Sequence, residues 1–299
     1  MTIKSQRSMR LVLLLFVCFT VWVTATETYA QEPTFANVPY VPNGGERQQL
    51  DIYLPANYRD TEKLPVLVWI HGGAWQHGSK KDMLSAKHFL ERGYACVSIN
   101  YRLAQQSPFP AQIEDCRAAI RWLRANASTY NLDPKRVGVW GASAGGHLAS
   151  LLGTSPHKKE FDVGENLDQS PAVQAVCDIF GPTDLVVFEK LPFVANEDGI
   201  FGKLLGGSIA DKRELAILAS PIFHITKDCP PFLILHGSRD LVVPLFQSTR
   251  FYDALKKDGI DVEIVIKEGA GHDESIATPD MLEKVATFFD KHVKKEPPK

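Results

Sequence analysis

Val139-Trp140-Gly141-Ala142-Ser143-Ala144-Gly145-Gly146 is the stretch on which the fold turns. An apolar, β-branched run from Arg136 to Trp140 stops at Gly141. Small residues surround Ser143, and a helical pattern follows in His147-Leu148-Ala149-Ser150-Leu151-Leu152. Strand, sharp turn and helix are therefore expected, with Ser143 at the apex. Gly141 and Gly145 flank the serine at G-x-S-x-G spacing, where such a turn leaves almost no room for side chains. The turn pushes the hydroxyl out past the sheet edge, and the helix behind it aims its first N–H groups at whatever the hydroxyl attacks. Glycine-rich turns before helices also have purely structural uses. The weight of the motif rests on its strand-before, helix-after setting and on what the rest of the chain supplies.

Upstream, Thr34 to Tyr40 and Gln48 to Leu54 are strand-like. The second alternates Leu50, Ile52 and Leu54 with Asp51 and Tyr53, which predicts a half-exposed antiparallel strand. Pro65 to Ile70 is continuously apolar, as a strand buried on both faces should be, and it runs into His71-Gly72-Gly73-Ala74-Trp75. A helix over about 82–92 (Met83, Leu84, Phe89, Leu90) ends at Gly93, and Tyr94 to Asn100 is the next strand. Pro110 to about Tyr130 is an amphipathic helix with Ile113, Cys116, Ala119, Ile120, Trp122 and Leu123 toward the sheet. Downstream, strands are expected at Val173 to Phe180, Pro231 to Leu235 and Val262 to Ile266, with helices at about 246–257 and 279–293. This alternation predicts an α/β fold: a mostly parallel central sheet, right-handed crossovers, and helices on both faces. Residues 181–227 break the rhythm, being long for a connection and without a clear period. They are read as a small cap or a set of substrate-facing loops.

The 299 residues, 44% hydrophobic and 23% charged, suit one large globular domain, taken as residues 31–299. Residues 1–30 differ. Lys4, Arg7 and Arg10 precede an apolar run from Leu11 to Val23, and Thr28-Tyr29-Ala30 has small-x-small form. A secretory signal peptide cleaved after Ala30 is expected, with a secreted or periplasmic protein and no stable membrane association afterwards. Removing residues 1–30 takes away three of 33 basic and one of 35 acidic residues, so the formal charge moves from −2 to about −4. No basic patch suggests nucleic acid. Cys96, Cys116, Cys177 and Cys229 are compatible with disulfides in an exported protein. The first three sit in apolar strand or helix positions, where buried free thiols are expected, and the pairing of Cys229 stays open. No C-x-x-C spacing and no histidine–carboxylate pattern suggests a metal, and no cofactor is implied.

A serine hydroxyl needs a base in hydrogen-bond reach and a third group to orient that base. In a parallel sheet such groups follow the carboxyl ends of strands. Phe232 to Leu235 leads into His236-Gly237-Ser238-Arg239-Asp240, and Val262 to Ile266 leads into Gly269-Ala270-Gly271-His272. The order Ser143, Asp240, His272 is the one expected after a G-x-S-x-G elbow. Asp240 would accept from one imidazole nitrogen of His272 and leave the other free to take the serine proton. His236 and His147 fall near the site but read as structural. Oxyanion donors are expected from the N–H groups of Ala144, Gly72 and Gly73, each worth on the order of 3 kcal/mol of barrier.

With these residues in place, the chain resembles the α/β-hydrolase superfamily. Within it, the chain resembles the HGG-loop, hormone-sensitive-lipase-like carboxylesterases, and most of all the bacterial bifunctional feruloyl and acetyl carbohydrate esterases. The carriers are Asp51-Ile52-Tyr53-Leu54-Pro55, His71-Gly72-Gly73-Ala74-Trp75, Asn100-Tyr101-Arg102-Leu103, Phe109-Pro110-Ala111-Gln112, Gly141 to Gly146, and His236 to Asp240. Ala74 stands where many lipase-like relatives have a third glycine, and Ala142 where they often have an acid. The resemblance implies cofactor-free ester hydrolysis through an acyl-enzyme, on a small-molecule or polysaccharide ester bearing acetyl or feruloyl groups. A peptidase or arylformamidase using the same triad, or a non-catalytic binding protein of the same fold, are the alternatives. Trp75, Trp140, Phe188, Phe193 and Phe201 are read as core rather than substrate contacts, and Arg102 with Asp115 as a structural pair.

Overall fold

Period-2 alternation, carried through successive strands, builds a sheet with an apolar layer on each side. The computed structural model describes residues 31–59 and 62–294. The signal-peptide reading of residues 1–30 lies outside them. Eight strands form one sheet: β1 (Phe35–Pro39), β2 (Gln49–Tyr53), β3 (Leu64–Ile70), β4 (Ala95–Ile99), β5 (Leu132–Ala142), β6 (Ala175–Ile179), β7 (Phe232–Gly237) and β8 (Val262–Lys267). Their spatial order is β1-β2-β4-β3-β5-β6-β7-β8. The β1–β2 and β2–β4 pairs are antiparallel and every other pair is parallel. This is the α/β-hydrolase fold expected from the strand–helix alternation.

Val66, Val68 and Ile70 of β3 face one core layer, together with Val137 and Val139 of β5. Helices α2 (Ala111–Ala125), α3 (Ala144–Thr154) and α7 (Phe246–Lys257) cover that side with Ile113, Ile120, Leu148, Leu152 and Phe251. Leu67 and Trp69 face the other way, with Trp140. There α1 (Ala86–Leu90) and α8 (Pro279–Phe289) supply Phe89, Met281, Val285 and Phe289. Trp140 is buried in this second layer, with its ring 4.5 Å from Trp69 and 4.8 Å from Phe89.

The chain first steps from β3 to β4 on one side, then crosses back to β5 on the other. The order therefore reverses between β3 and β5, and a crevice opens where their carboxyl ends diverge. Trp69 pairs with Trp140 and Ile70 with Gly141, so both strands end at one level. The 71–75 loop and the Ser143 turn accordingly leave the sheet side by side.

Three local expectations need correction. Strand β2 is not half-exposed: Asp51 and Tyr53 are buried. β1 covers its outer edge, and the Lys80 ammonium lies 2.7 and 2.8 Å from the Asp51 carboxylate oxygens. The Asn37 N–H adds a 2.7 Å bond to the same carboxylate. Residues 82–85 are not helical. Ser79 N–H donates to the Asp82 carboxylate at 2.7 Å, and Ser85 stands at φ 49°, so the helix begins only at Ala86. The amphipathic helix likewise stops at Ala125, short of Tyr130.

Residues 181–227 form a small cap of short helices: α4 (Pro192–Ala195), α5 (Ile200–Leu205) and α6 (Arg213–Leu218), with 3-10 turns at Val186–Lys190 and Pro221–His224. Phe188 and Phe201 are buried in it, and Phe201 lies 5.9 Å from Trp75. Trp75 is buried as expected, whereas Phe193 is 74% exposed. His147, on α3, accepts from the Trp75 indole N–H at 3.1 Å and donates to the Ala219 carbonyl at 2.6 Å. It thereby ties cap, loop and elbow helix together. Burial lowers its pKa to about 4, partly offset by the Ala219 bond, so the ring is neutral at pH 7. Arg102 and Asp115 pair as expected, with Nε–Oδ2 and Nη2–Oδ1 both at 2.9 Å. All four cysteines of the described residues are buried free thiols.

Candidate active site

The turn between β5 and α3 is sharp because two backbones are pressed together there. A Cβ at Gly145 would overlap the Ile70 carbonyl oxygen, and one at Gly141 would lie 2.7 Å from the same atom. Ser143 takes up the bend at φ 56°, ψ −120°. A non-glycine residue held there stores on the order of 1–3 kcal/mol of strain, sustained only where the surroundings hold it. The surroundings do so: Ser143 N–H donates to the Ile179 carbonyl at 2.9 Å, and the Ser143 carbonyl accepts from His147 N–H at 2.9 Å.

The loops after β7 and β8 bring Asp240 and His272 to this apex. Ser143 Oγ lies 2.8 Å from His272 Nε2, and His272 Nδ1 lies 2.6 Å from Asp240 Oδ2. A carboxylate oxygen accepts, so Nδ1 carries the proton and Nε2 is left to accept from the serine. Asp240 Oδ1 accepts from the N–H groups of Val242 and Val243, each at 2.8 Å. Burial pushes the Asp240 carboxyl up, but bonds from His236, His272 and Val243, with the His272 charge, outweigh it. The net pKa lies well below the ordinary carboxylate range, and Asp240 is ionised at any working pH.

The three residues expected from chain order thus form one hydrogen-bonded series. Gly72 and Gly73 line the same cleft as Ser143 and His272. Ala144 is the first residue of α3, next to the serine. Among the described residues, none of these three N–H groups has a protein acceptor. Each is left free to donate to a group outside the protein. The cleft encloses about 510 Å³ and is largely apolar, with walls from Trp69, Leu84, Phe180, Val242 and Ile276.

Other contributors were not visible in the sequence. Phe180 leaves β6 at φ 45° and sets its ring 4.3 Å from the His272 imidazole. His236 is structural, as expected, yet it touches the series: its Nε2 lies 2.9 Å from the Val243 carbonyl and 3.3 Å from Asp240 Oδ2. Ser248 Oγ lies 2.7 Å from its Nδ1. The only local sign of this was the four-residue spacing of His236 and Asp240 at a strand end. Leu84 also lines the cleft, from the irregular segment that precedes α1.

The family model described as BD-FAE matches residues 50–255. The chain belongs to the BD-FAE family. The match contains Ser143 and Asp240 and stops before His272. Among curated relatives, this BD-FAE chain is 34% identical over 232 residues to Esterase LipQ of Mycobacterium tuberculosis, an alignment covering 75% of the chain and 53% of LipQ. The chain thus spans about half the length of the curated relatives it matches. Among solved structures, it resembles a bifunctional GH43-CE protein of Bacteroides eggerthii at 36% identity and TM-score 0.80, over 85% of this chain and 37% of that one. It also resembles a truncated carbohydrate esterase from gut microbiota at 30% identity and TM-score 0.79, over 89% and 99%. These BD-FAE likenesses agree with the resemblance carried by the HGG loop and the serine elbow.

Proposed function

We propose that this protein is a serine carboxylesterase that removes short-chain or carbohydrate-linked acyl groups, acetyl or feruloyl, and that it works outside the cytoplasm. The observation that carries the reading is the series Ser143–His272–Asp240, opening into a cleft beside three unpaired backbone N–H groups. Ser143 Oγ attacks the ester carbonyl carbon while its proton passes to His272 Nε2. The carbonyl π electrons move onto oxygen, which the N–H groups of Gly72, Gly73 and Ala144 receive. Collapse expels the alkoxide, which takes the proton from His272 and leaves as the alcohol. Water then repeats the sequence on the acyl-enzyme and releases the acid. Asp240 holds the Nδ1–H tautomer and stabilises the imidazolium in both halves.

The carbohydrate assignment is supported by the two esterase structures at 36% and 30% identity, and export by the leader-like residues 1–30. Initial rates should be measured on nitrophenyl acetate and butyrate, acetylated xylan, methyl ferulate and a matched anilide. Turnover of the esters with release of acetate or ferulate from the sugar or methyl esters is expected. Turnover confined to the anilide would replace the esterase by the peptidase or arylformamidase alternative. Absence of turnover on all five would leave the binding-protein alternative. Terminal sequencing of the exported protein should begin at Gln31, and an intact Met1 end in a membrane fraction would overturn the export reading.

A further inference from the structure

We propose that Arg47 is a positioning residue for ester hydrolysis: through the His71 imidazole it sets the direction of the Gly73 N–H in the oxyanion site. Arg47 belongs to the short turn Glu46–Gln48 before β2, outside every motif singled out in the sequence. Its Nη2 lies 3.3 Å from His71 Nε2. On the far side of the ring, His71 Nδ1 lies 2.7 Å from the Gly72 carbonyl oxygen. A guanidinium only donates and a carbonyl only accepts. The ring must therefore accept at Nε2 and donate from Nδ1. Burial lowers the His71 pKa to about 4, partly offset by the Gly72 bond, and the nearby Arg47 charge acts with burial. The imidazole is neutral across the working range, as a ring that accepts at one nitrogen must be.

The Gly72 carbonyl and the Gly73 N–H share one planar trans peptide and point in opposite directions. Pinning the carbonyl to His71, which is fully buried, leaves the Gly73 N–H on the opposite side of that peptide, where Gly72 and Gly73 line the cleft. The neighbouring peptide is pinned as well, since the Gly73 carbonyl accepts from Gln76 and His77 N–H, each at 2.9 Å. Both ends of the relay are held. Arg47 also donates to the Tyr101 carbonyl at 3.2 Å and to the Gly78 carbonyl at 3.0 Å. The Tyr101 ring stacks on His71 at 4.3 Å, and its hydroxyl donates to the His71 carbonyl at 3.0 Å. Gly78, at φ 85°, packs so closely that a Cβ there would lie 2.6 Å from both His71 Nδ1 and the Gly72 oxygen.

The inference rests on Ser143 being the nucleophile beside this loop. The test compares Arg47→Met, Arg47→Lys and Ser143→Ala with wild type on nitrophenyl acetate. Arg47→Met should lose about 10- to 100-fold in kcat with KM nearly unchanged, because an oxyanion donor acts in the transition state. Arg47→Lys, another donor-only side chain, should recover much of that loss. Histidine-selective 15N spectra of the wild-type protein, with the His71 signals assigned by their loss in His71→Asn, should show an unprotonated Nε2 at His71. Arg47→Met should change that tautomer balance. The relay is overturned if Arg47→Met keeps kcat within about twofold, if only KM moves, or if wild-type His71 is protonated at Nε2. The spectra decide the matter even if Arg47→Met does not fold. An active Ser143→Ala would sink the underlying site, whereas an inactive Ser143→Ala beside a fully active Arg47→Met would sink the relay alone.

Discussion

Ser143→Ala is expected to fold as wild type and to lose on the order of 10⁴- to 10⁶-fold in kcat on nitrophenyl acetate. The effect is large because the covalent route disappears altogether. His272 can still polarise water, and the donors at Gly72, Gly73 and Ala144 still receive the oxyanion, so a residual rate above that of the uncatalysed reaction should persist. KM should change little, since Oγ bonds to the substrate only after the ground state. The fold should survive because the lost bond is the 2.8 Å contact to His272, whose other nitrogen stays bonded to Asp240. His272 also faces a cleft open to solvent, so its freed nitrogen can find water. The strained backbone at φ 56° is the same for alanine as for serine. Steady-state kinetics with a urea unfolding curve checks both halves, and labelling by a fluorophosphonate should vanish with kcat. A variant that retains more than about one hundredth of the rate would place the nucleophile elsewhere.

The elbow was legible because its cause is local. A β-branched run, two glycines around a serine and a helical pattern all fall within about fifteen residues, and short-range sterics demand that combination. Asp240 and His272 were legible for a related reason. Each follows an apolar run whose end, in a parallel sheet, must lie on the face that carries the elbow. What sequence periodicity could not supply is the set of contacts between distant segments. Asp51 and Tyr53 alternate with apolar neighbours as solvent-facing residues would, yet Lys80 closes over Asp51 from the loop after β3. Met83 and Leu84 match a helical stripe, but the Ser79 N–H bond to the Asp82 carboxylate and a left-handed Ser85 win over that weak propensity. The cap helices are four to six residues long, too short for a 3.6-residue period to repeat. Arg47 left no trace because its partners are a ring nitrogen and carbonyl oxygens 24 to 54 positions away.

The Gly145→Ala substitution sets two physical effects against each other. Gly145 is the second residue of α3 and has no positive φ. Helix propensity alone would make alanine more stable there by about 1 kcal/mol. The close packing argues the other way. The added methyl would overlap the Ile70 carbonyl and lie 2.7 Å from the His71 carbonyl, and both are backbone atoms. Neither can step aside cheaply, because Ile70 is paired with Ile99 on one side and Gly141 on the other. Overpacking against a fixed backbone costs about 1–3 kcal/mol or somewhat more, and an overlap this deep belongs at the upper end. A net loss of about 2 kcal/mol is therefore expected, read as a fall in the urea midpoint. Gly45→Ala is the matched control: its φ is −73° and nothing lies within 4 Å of a Cβ there, so a change within about 0.5 kcal/mol is expected. The same overlap should reach the chemistry. The chain relieves it most easily by moving the start of α3 away from β3, which carries Ser143 and the Ala144 N–H out of line with His272. A displacement near 1 Å costs about 10²-fold in rate, so kcat should fall even where the variant is fully folded. A Gly145→Ala protein as stable and as active as wild type would mean that the β3 exit yields, and that the elbow's geometry is not held by the contact between these two backbones.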